Sequence, residues 1–496
     1  MSLGLVALKV SHSGATTNTQ VGSAVAGDDR VVSCYYNTPS PGQQRQLWPA
    51  NIHPHLCTHI NVAFARVKDK QIYLEDHQYK SLAEVVSIKE VNPKLKILLS
   101  VGGASNDSGF PAMVADHASR KIFIKSIKSI LRNYSLDGID LDWEFPAIST
   151  YSHGSGLRKR QRQHFSQLLR EIRMEYIREK RNYLLTVAVA APQIIVDAAY
   201  DIDQINLYVD YANIMTYDFH YFTEFTPFTG LNSPLYARSS EQLYMGTLNI
   251  NYTVHMYIDK GLDRNKIVVG VPTYGHSFKL VNVNNGNVGS PALGYGDLGQ
   301  LGFVNYPDIC HFMKTFSTDV SVNFDSEARV PYLHRDQVWA SFDNPKSVME
   351  KAQYITEHKL RGAMIYSLNA DDYEGVCDSL SGSTKFPLAA SIKKALNVIQ
   401  EDFMVGDGVS RGGAECGAEA APTRARRGAG RGAGLGRRPG ADCRCSARPA
   451  LAAQPTRTAR ADFITLLINQ HLEKMHNFAL VLAAQWGFQS TECVGR

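Results

Sequence analysis

Eight short apolar runs, each followed by a helix-length segment, organise most of this 496-residue chain. They lie near Val31 to Tyr36, His59 to Ala65, Lys96 to Val101, Gly138 to Trp143, Leu184 to Val189, Tyr211 to Met215, Ile267 to Gly270 and Gly362 to Tyr366. Stretches such as KIVVG and GAMIY are apolar without alternation, which predicts strands covered on both faces. Between the runs, Arg120 to Leu131, Gln161 to Lys180 and Pro345 to Glu357 carry apolar residues at helical spacing. Strand-then-helix repeated eight times predicts an α/β fold, a closed (β/α)8 TIM barrel. A doubly wound open sheet would give the same alternation.

The rhythm breaks in three places. Residues 277–340 are rich in Gly and Asn, followed by short β-like pieces, and read as an insertion after the seventh strand. Residues 1–29 read as a disordered leader, and residues 400–496 as a low-complexity tail that is mostly unable to bury a core, leaving 30–399 as the folded body. Residues 405–461 hold eleven Arg, no Lys and four acidic residues, a net +7 against +5 for the whole chain. Everything outside that stretch sums to −2, so the rest of the chain is near neutral and nothing in it suggests a nucleic-acid partner. No apolar run approaches the ~18 residues of a membrane-spanning helix. The opening MSLGLVALKVSHSG is a poor secretory leader, since Lys9 interrupts its apolar stretch and no basic region precedes it.

The fourth run continues as LDGIDLDWEFP, Leu136 to Pro146, with acidic residues at Asp137, Asp140, Asp142 and Glu144. On a strand, side chains alternate faces, so Asp140, Asp142 and Glu144 share one face. Ile139, Leu141, Trp143 and Phe145 fill the other and need burial, which fits poorly with a solvated acidic edge. Crowded carboxyl groups split their pKa values, leaving one protonated as a general acid beside an ionised neighbour. Barrel active sites lie at the C-terminal ends of strands, where this segment puts Glu144.

DGIDLDWE resembles the signature of glycoside hydrolase family 18, the chitinases and chitinase-like lectins. KILLSVGG at Lys96 to Gly103 resembles the family's S-x-G-G motif. Met215-Thr216-Tyr217-Asp218 resembles its M-T-Y-D, and GVPTY at Gly270 to Tyr274 its seventh-strand turn. The resemblance runs from about Arg30 to Ile399 and implies a TIM barrel whose insertion is a small α+β domain. It implies substrate-assisted, retaining cleavage of β-1,4-linked N-acetylglucosamine in chitin or chito-oligosaccharides, with endo action. Glu144 is then the general acid, Asp142 orients the substrate's acetamido group, Asp140 tunes Asp142, and Tyr217 bonds the acetamido carbonyl. Tyr35, Phe64, Gly103, Met215, Asp218, Tyr274, Trp339 and Tyr366 match positions that line the cleft. The resemblance also implies Cys34–Cys57 and Cys310–Cys377 disulfides, which with sequons at Asn106, Asn133 and Asn251 favour an extracellular, glycosylated monomer. No cofactor or metal is implied.

Four departures from the family pattern bear on function. Ala104 follows the S-x-G-G motif where a Trp is usual, and Thr38-Pro39 follow Asn37 where another is expected. Tyr366 stands in place of the floor Trp, and His276 in place of the usual Arg. Sugars stack on aromatic planes, so these losses predict weaker binding of long polymers. A non-catalytic lectin or secreted signalling protein on the same barrel is the alternative, and cleavage of N-linked core chitobiose a third reading. Glu144 favours catalysis, because lectin members typically lose it.

Overall fold

The computed structural model describes residues 30–41, 45–104, 108–148, 155–377 and 384–397, with side chains in the helix after 155 described from 160. The segments expected to be disordered, 1–29 and 400–496, lie outside the described residues, as does Asn106. Eight parallel strands form the barrel: β1 Val31–Asn37, β2 His59–Lys68, β4 Lys96–Gly102, β5 Gly138–Asp142, β6 Leu184–Ala190, β7 Tyr211–Met215, β8 Ile267–Pro272 and β15 Gly362–Tyr366. β1 pairs with both β2 and β15, so the sheet closes on itself and leaves no open barrel edge. The short β3, Gln71–Tyr73, turns back on the end of β2 as a hairpin.

The apolar faces separate into two cores. The larger lies between strands and helices, where Ile139, Leu141 and Trp143 of the acidic segment are buried. Trp143 stacks on Phe110 at 5.2 Å and meets Phe165 edge-on at 5.9 Å. The smaller core fills the barrel itself, with Val31, Tyr35, Ala63, Tyr211, Val268 and Met364. The expected helices are present as His117–Asn133, Ser155–Arg178 and Pro345–Glu357. Asp116 and Asn344 cap the first and third of these by accepting hydrogen bonds from the amides of Ser119 and Ser347.

The insertion is a six-stranded antiparallel sheet: β9 Tyr274–Leu280, β10 Ala292–Tyr295, β11 Phe303–Asn305, β12 Ser321–Asp325, β13 Val330–Arg335 and β14 Val338–Ser341, with a helix at Tyr306–Thr315. It begins three residues earlier than the composition suggests, because only Thr273 separates β8 from β9. Its core packs Leu231, Phe278, Leu280, Val330 and Trp339. The Cys34–Cys57 and Cys310–Cys377 disulfides are both formed. Among the described residues, no helix is long and apolar enough to cross a membrane.

Candidate active site

The four acidic residues of the fourth barrel segment meet different surroundings along its length. Asp137 sits at the foot of β5, where it accepts hydrogen bonds from Lys89 (2.7 Å), Lys96 (3.2 Å) and the Ile97 amide (2.9 Å). It is a structural joint between neighbouring strands. Asp140 lies one layer up, fully buried inside the barrel. Asp142 ends β5 and is also buried, whereas Glu144, two residues beyond the strand, is partly exposed. The inward row is therefore graded from dry to wet.

Burying a carboxylate without partners costs several kcal/mol, and Asp140 is supplied with four. Its Oδ2 accepts from the Tyr35 hydroxyl (2.7 Å) and Ser100 Oγ (2.7 Å). Its Oδ1 accepts from Thr186 Oγ1 (2.6 Å) and Asn213 Nδ2 (3.3 Å). Those donors come from β1, β4, β6 and β7, and Ser100 and Thr186 stand directly opposite Asp140 in the strand registers. Burial still raises the Asp140 pKa, and the donors only partly oppose it. The same burial, with the Asp140 and Asp142 charges, keeps the Tyr35 phenol protonated far above its ordinary range.

The two glycines after Ser100 fix the height of Asp142. Gly102 has φ +114°, and a Cβ there would lie 1.9 Å from the Asp142 carbonyl oxygen. Gly103 has φ +82°, donates its amide to that carbonyl at 2.8 Å, and leaves no room for a Cβ against the Phe64 ring. The S-x-G-G sequence is thus one buried donor and two close backbone approaches.

Tyr35, Phe64, Met215, Tyr217, Tyr274 and Tyr366 gather into one cluster at the barrel interior and mouth. Tyr217 stacks on Tyr366 (5.8 Å between centroids, 23°) and meets Tyr274 edge-on at 6.0 Å. Burial drives the Tyr217 pKa far up, with the Tyr366, Asp142, Asp218 and Glu144 charges adding to it. Tyr366 is raised by burial and then by Glu144 and Asp142, and its hydroxyl is hydrogen-bonded by the Asn37 side chain. Both phenols stay neutral donors beside the two acids. On the insertion side, Asp218 Oδ1 receives the Tyr274 hydroxyl (2.6 Å) and His276 Nε2 (2.7 Å).

Trp339 is not in this group, which corrects its expected place in the cleft. It is 0 % exposed, stacks on Tyr332 and donates its indole N–H to the Gly286 carbonyl, so it packs the insertion. Thr186, Asn213 and Asn37 are site residues that motif reading missed. Asn232 and Ser233 were missed too: Asn232 holds the Asp218 amide and the Tyr274 carbonyl, and Ser233 donates to the Thr216 carbonyl, which fixes the backbone on both sides of Tyr217. Of the described sequons, Asn133 is exposed, while Asn251 is half-buried and accepts a hydrogen bond from Tyr354. Among the described residues, no cluster of His, Cys, Asp and Glu is arranged to hold a metal.

The pattern of "Glycosyl hydrolases family 18" matches residues 31–371. The chain belongs to glycosyl hydrolase family 18. Among family relatives, mouse (Mus musculus) chitotriosidase-1 is 35% identical over 367 residues, covering 72% of this chain and 75% of the relative. Human chitinase-3-like protein 2 is 33% identical, covering 73% and 92%. A solved group IV chitinase of Ostrinia furnacalis in complex with allosamidin has a TM-score of 0.68 at 33% identity, covering 74% of this chain and 99% of that one. Human YKL-39, described as a pseudo-chitinase with retained chitooligosaccharide binding, has a TM-score of 0.68 at 32% identity, with 74% and 99% covered.

Proposed function

We propose that this family 18 protein hydrolyses β-1,4-linked N-acetylglucosamine oligomers by substrate-assisted catalysis with retention at the anomeric carbon. The observation that carries the reading is the graded acid row, with Asp140 buried among four donors, Asp142 above it, and Glu144 partly exposed at the strand tip. Glu144 protonates the leaving oxygen and later deprotonates the incoming water. Asp142 orients the 2-acetamido group as its carbonyl oxygen attacks the anomeric carbon, and balances the positive charge of the oxazolinium formed. Asp140, held beneath it by four donors, sets the charge on Asp142. Tyr217 supplies a neutral hydroxyl to the acetamido oxygen. The partly exposed cleft residues Phe64, Met215 and Tyr366 provide the sugar-facing surface, with Asp218 and Tyr274 at its edge.

The action proposed is endo, on soluble oligomers rather than crystalline chitin, because Ala104, Thr38 and Tyr366 replace large indole platforms. We place the protein outside the cell as a monomer, since two disulfides suit an oxidising compartment. The non-catalytic lectin reading is favoured by one observation, the smaller phenol of Tyr366 at the floor. Turnover of chitotriose to chitohexaose by the full chain and by Glu144→Gln separates the two. Release of β-configured products by the wild type alone supports the hydrolase. Oligomer binding without turnover in either protein makes it a lectin, and neither binding nor turnover would redirect attention to other 2-acetamido glycans.

A further inference from the structure

The near-neutral charge of the barrel hides a local surplus on its outer wall. Residues 117–133 hold five Lys and Arg and no acid, and residues 155–181 hold nine against three acids, a surplus of eleven. These segments are the helices His117–Asn133 and Ser155–Arg178, which lie side by side and bury Phe123, Ile127, Phe165 and Ile172 against the strands. Their other faces look outward from the flank of the barrel.

The acids of this region are drawn into the seam between the two helices. Glu171 pairs with Arg120 at 2.7 Å, and Glu179 with Lys128 at 3.0 Å and Arg132 at 2.6 Å. Glu175 pairs with Lys128 and Arg178. All three carboxylates are largely covered there. Every exposed residue left over 117–133 and 160–181 is cationic or uncharged. Lys121, Lys125, Arg170 and Arg181 have no carboxylate partner among the described residues.

Three large apolar side chains stand among those cations. Ile122 is 43 % exposed, Met174 46 % and Ile177 61 %. Arg170, Met174 and Ile177 recur at helical spacing and so form one line, while Ile122 lies beside Lys121 and Lys125 on the neighbouring helix. An ordinary solvated face carries both signs of charge and few exposed aliphatic residues. A soluble polyanion would be satisfied by the cations alone and would leave Ile122, Met174 and Ile177 in water. A bilayer surface uses both, with anionic headgroups meeting the Lys and Arg tips and apolar side chains entering the headgroup–acyl boundary.

We propose that this face docks on an anionic lipid surface, lying flat on it without crossing it. The inference goes beyond the proposed hydrolysis and does not depend on it, since no residue of the acid row takes part.

The test is co-sedimentation of the full chain with phosphatidylcholine vesicles, with and without phosphatidylserine. Binding is expected only where phosphatidylserine is present, and should weaken as salt is raised. Neutralising one cation near such a surface weakens binding about fivefold, so Lys121→Gln with Lys125→Gln should weaken it roughly 25-fold. Met174→Ser with Ile177→Ser should weaken it about tenfold. All four side chains are exposed, and unchanged melting temperatures check folding. The basic stretch 405–461 is present in every protein compared, so binding that no substitution weakens assigns the lipid contact to another part of the chain and overturns the proposal. A loss in the Lys pair with none in the Met174 and Ile177 pair also overturns it, in favour of a soluble polyanion. No binding, or equal binding to both kinds of vesicle, overturns it outright.

Discussion

Replacing Thr186 by Val tests whether the carboxylate at the centre of the barrel is held as an anion by its neighbours. The two side chains are nearly isosteric, so the principal change is loss of the hydroxyl that reaches Asp140 Oδ1 at 2.6 Å. Both residues are fully buried, so water does not readily replace that donor. The remaining contact on Oδ1 is Asn213 at 3.3 Å. A hydrogen bond to a charged group contributes roughly 1.5–3 kcal/mol, and one to a neutral group about 1 kcal/mol. Burial already raises the folded pKa of Asp140, so the stability linked to this group is full below the unfolded carboxyl value of about 3.9 and is lost as pH rises through the folded value. Removing a donor to the anion raises the folded pKa further. The Val variant should therefore lose about 2–3 kcal/mol at pH 7 and only about 1 kcal/mol near pH 4, read from urea unfolding at each pH. Thr186→Ser, which keeps the hydroxyl, should restore most of the difference. The acid limb of kcat/KM should also move to higher pH in the Val variant. An equal loss at both pH values would refute the reasoning and leave Thr186 a packing residue.

Two further outcomes follow from buried charge elsewhere in the barrel. Asp371 accepts the amides of Asp372, Leu388 and Ala389, yet burial pushes its pKa up to about 6, so its linked stability is full below pH 4 and falls by about 3 kcal/mol as pH rises through 6. Asp371→Asn should flatten that part of the stability curve, and parallel wild-type and variant curves from pH 4 to 7 would count against it. Lys351, fully buried, bonds Asp343 at 2.7 Å and the Ser233 hydroxyl at 2.9 Å. Lys351→Met should cost roughly 3–5 kcal/mol by stranding Asp343, and adding Asp343→Leu should recover much of it, as measured in the same unfolding assay.

The barrel was legible because its strands are buried on both faces, which writes each as an unbroken apolar run. All eight expected runs became strands, and the differences lie at their ends. β2 extends to Lys68 because β3 pairs with its tip, a three-residue partner too short to show a pattern. The insertion boundary was blurred because GVPTYGHSF reads continuously, while the structure passes from barrel to insertion at Thr273. The acid row was readable from period-two alternation along one strand. Its supporting donors were less so: Ser100 sits in a motif, but Thr186 and Asn213 are ordinary residues on other strands that meet Asp140 only when the barrel closes. Trp339 shows the opposite failure, an aromatic residue assigned to the cleft that the insertion uses for its own core.

The choice between enzyme and lectin turns on what each half of the site costs the fold. The upper half is made of single aromatic residues at strand tips and on the rim, where a ring can shrink from indole to phenol with little strain. Under either proposed activity, those positions adjust how many sugars are gripped. The lower half is different, because a fully buried carboxylate requires donors from four strands and remains destabilising relative to apolar residues of similar volume. A surface that only binds sugars gains nothing from such a group, since Asp140 is sealed beneath Asp142 and reaches no ligand. In the proposed mechanism its use is to set the charge on the carboxyl above it at the moment positive charge develops on the substrate. The intact buried cradle therefore favours turnover more strongly than the altered aromatics favour binding alone.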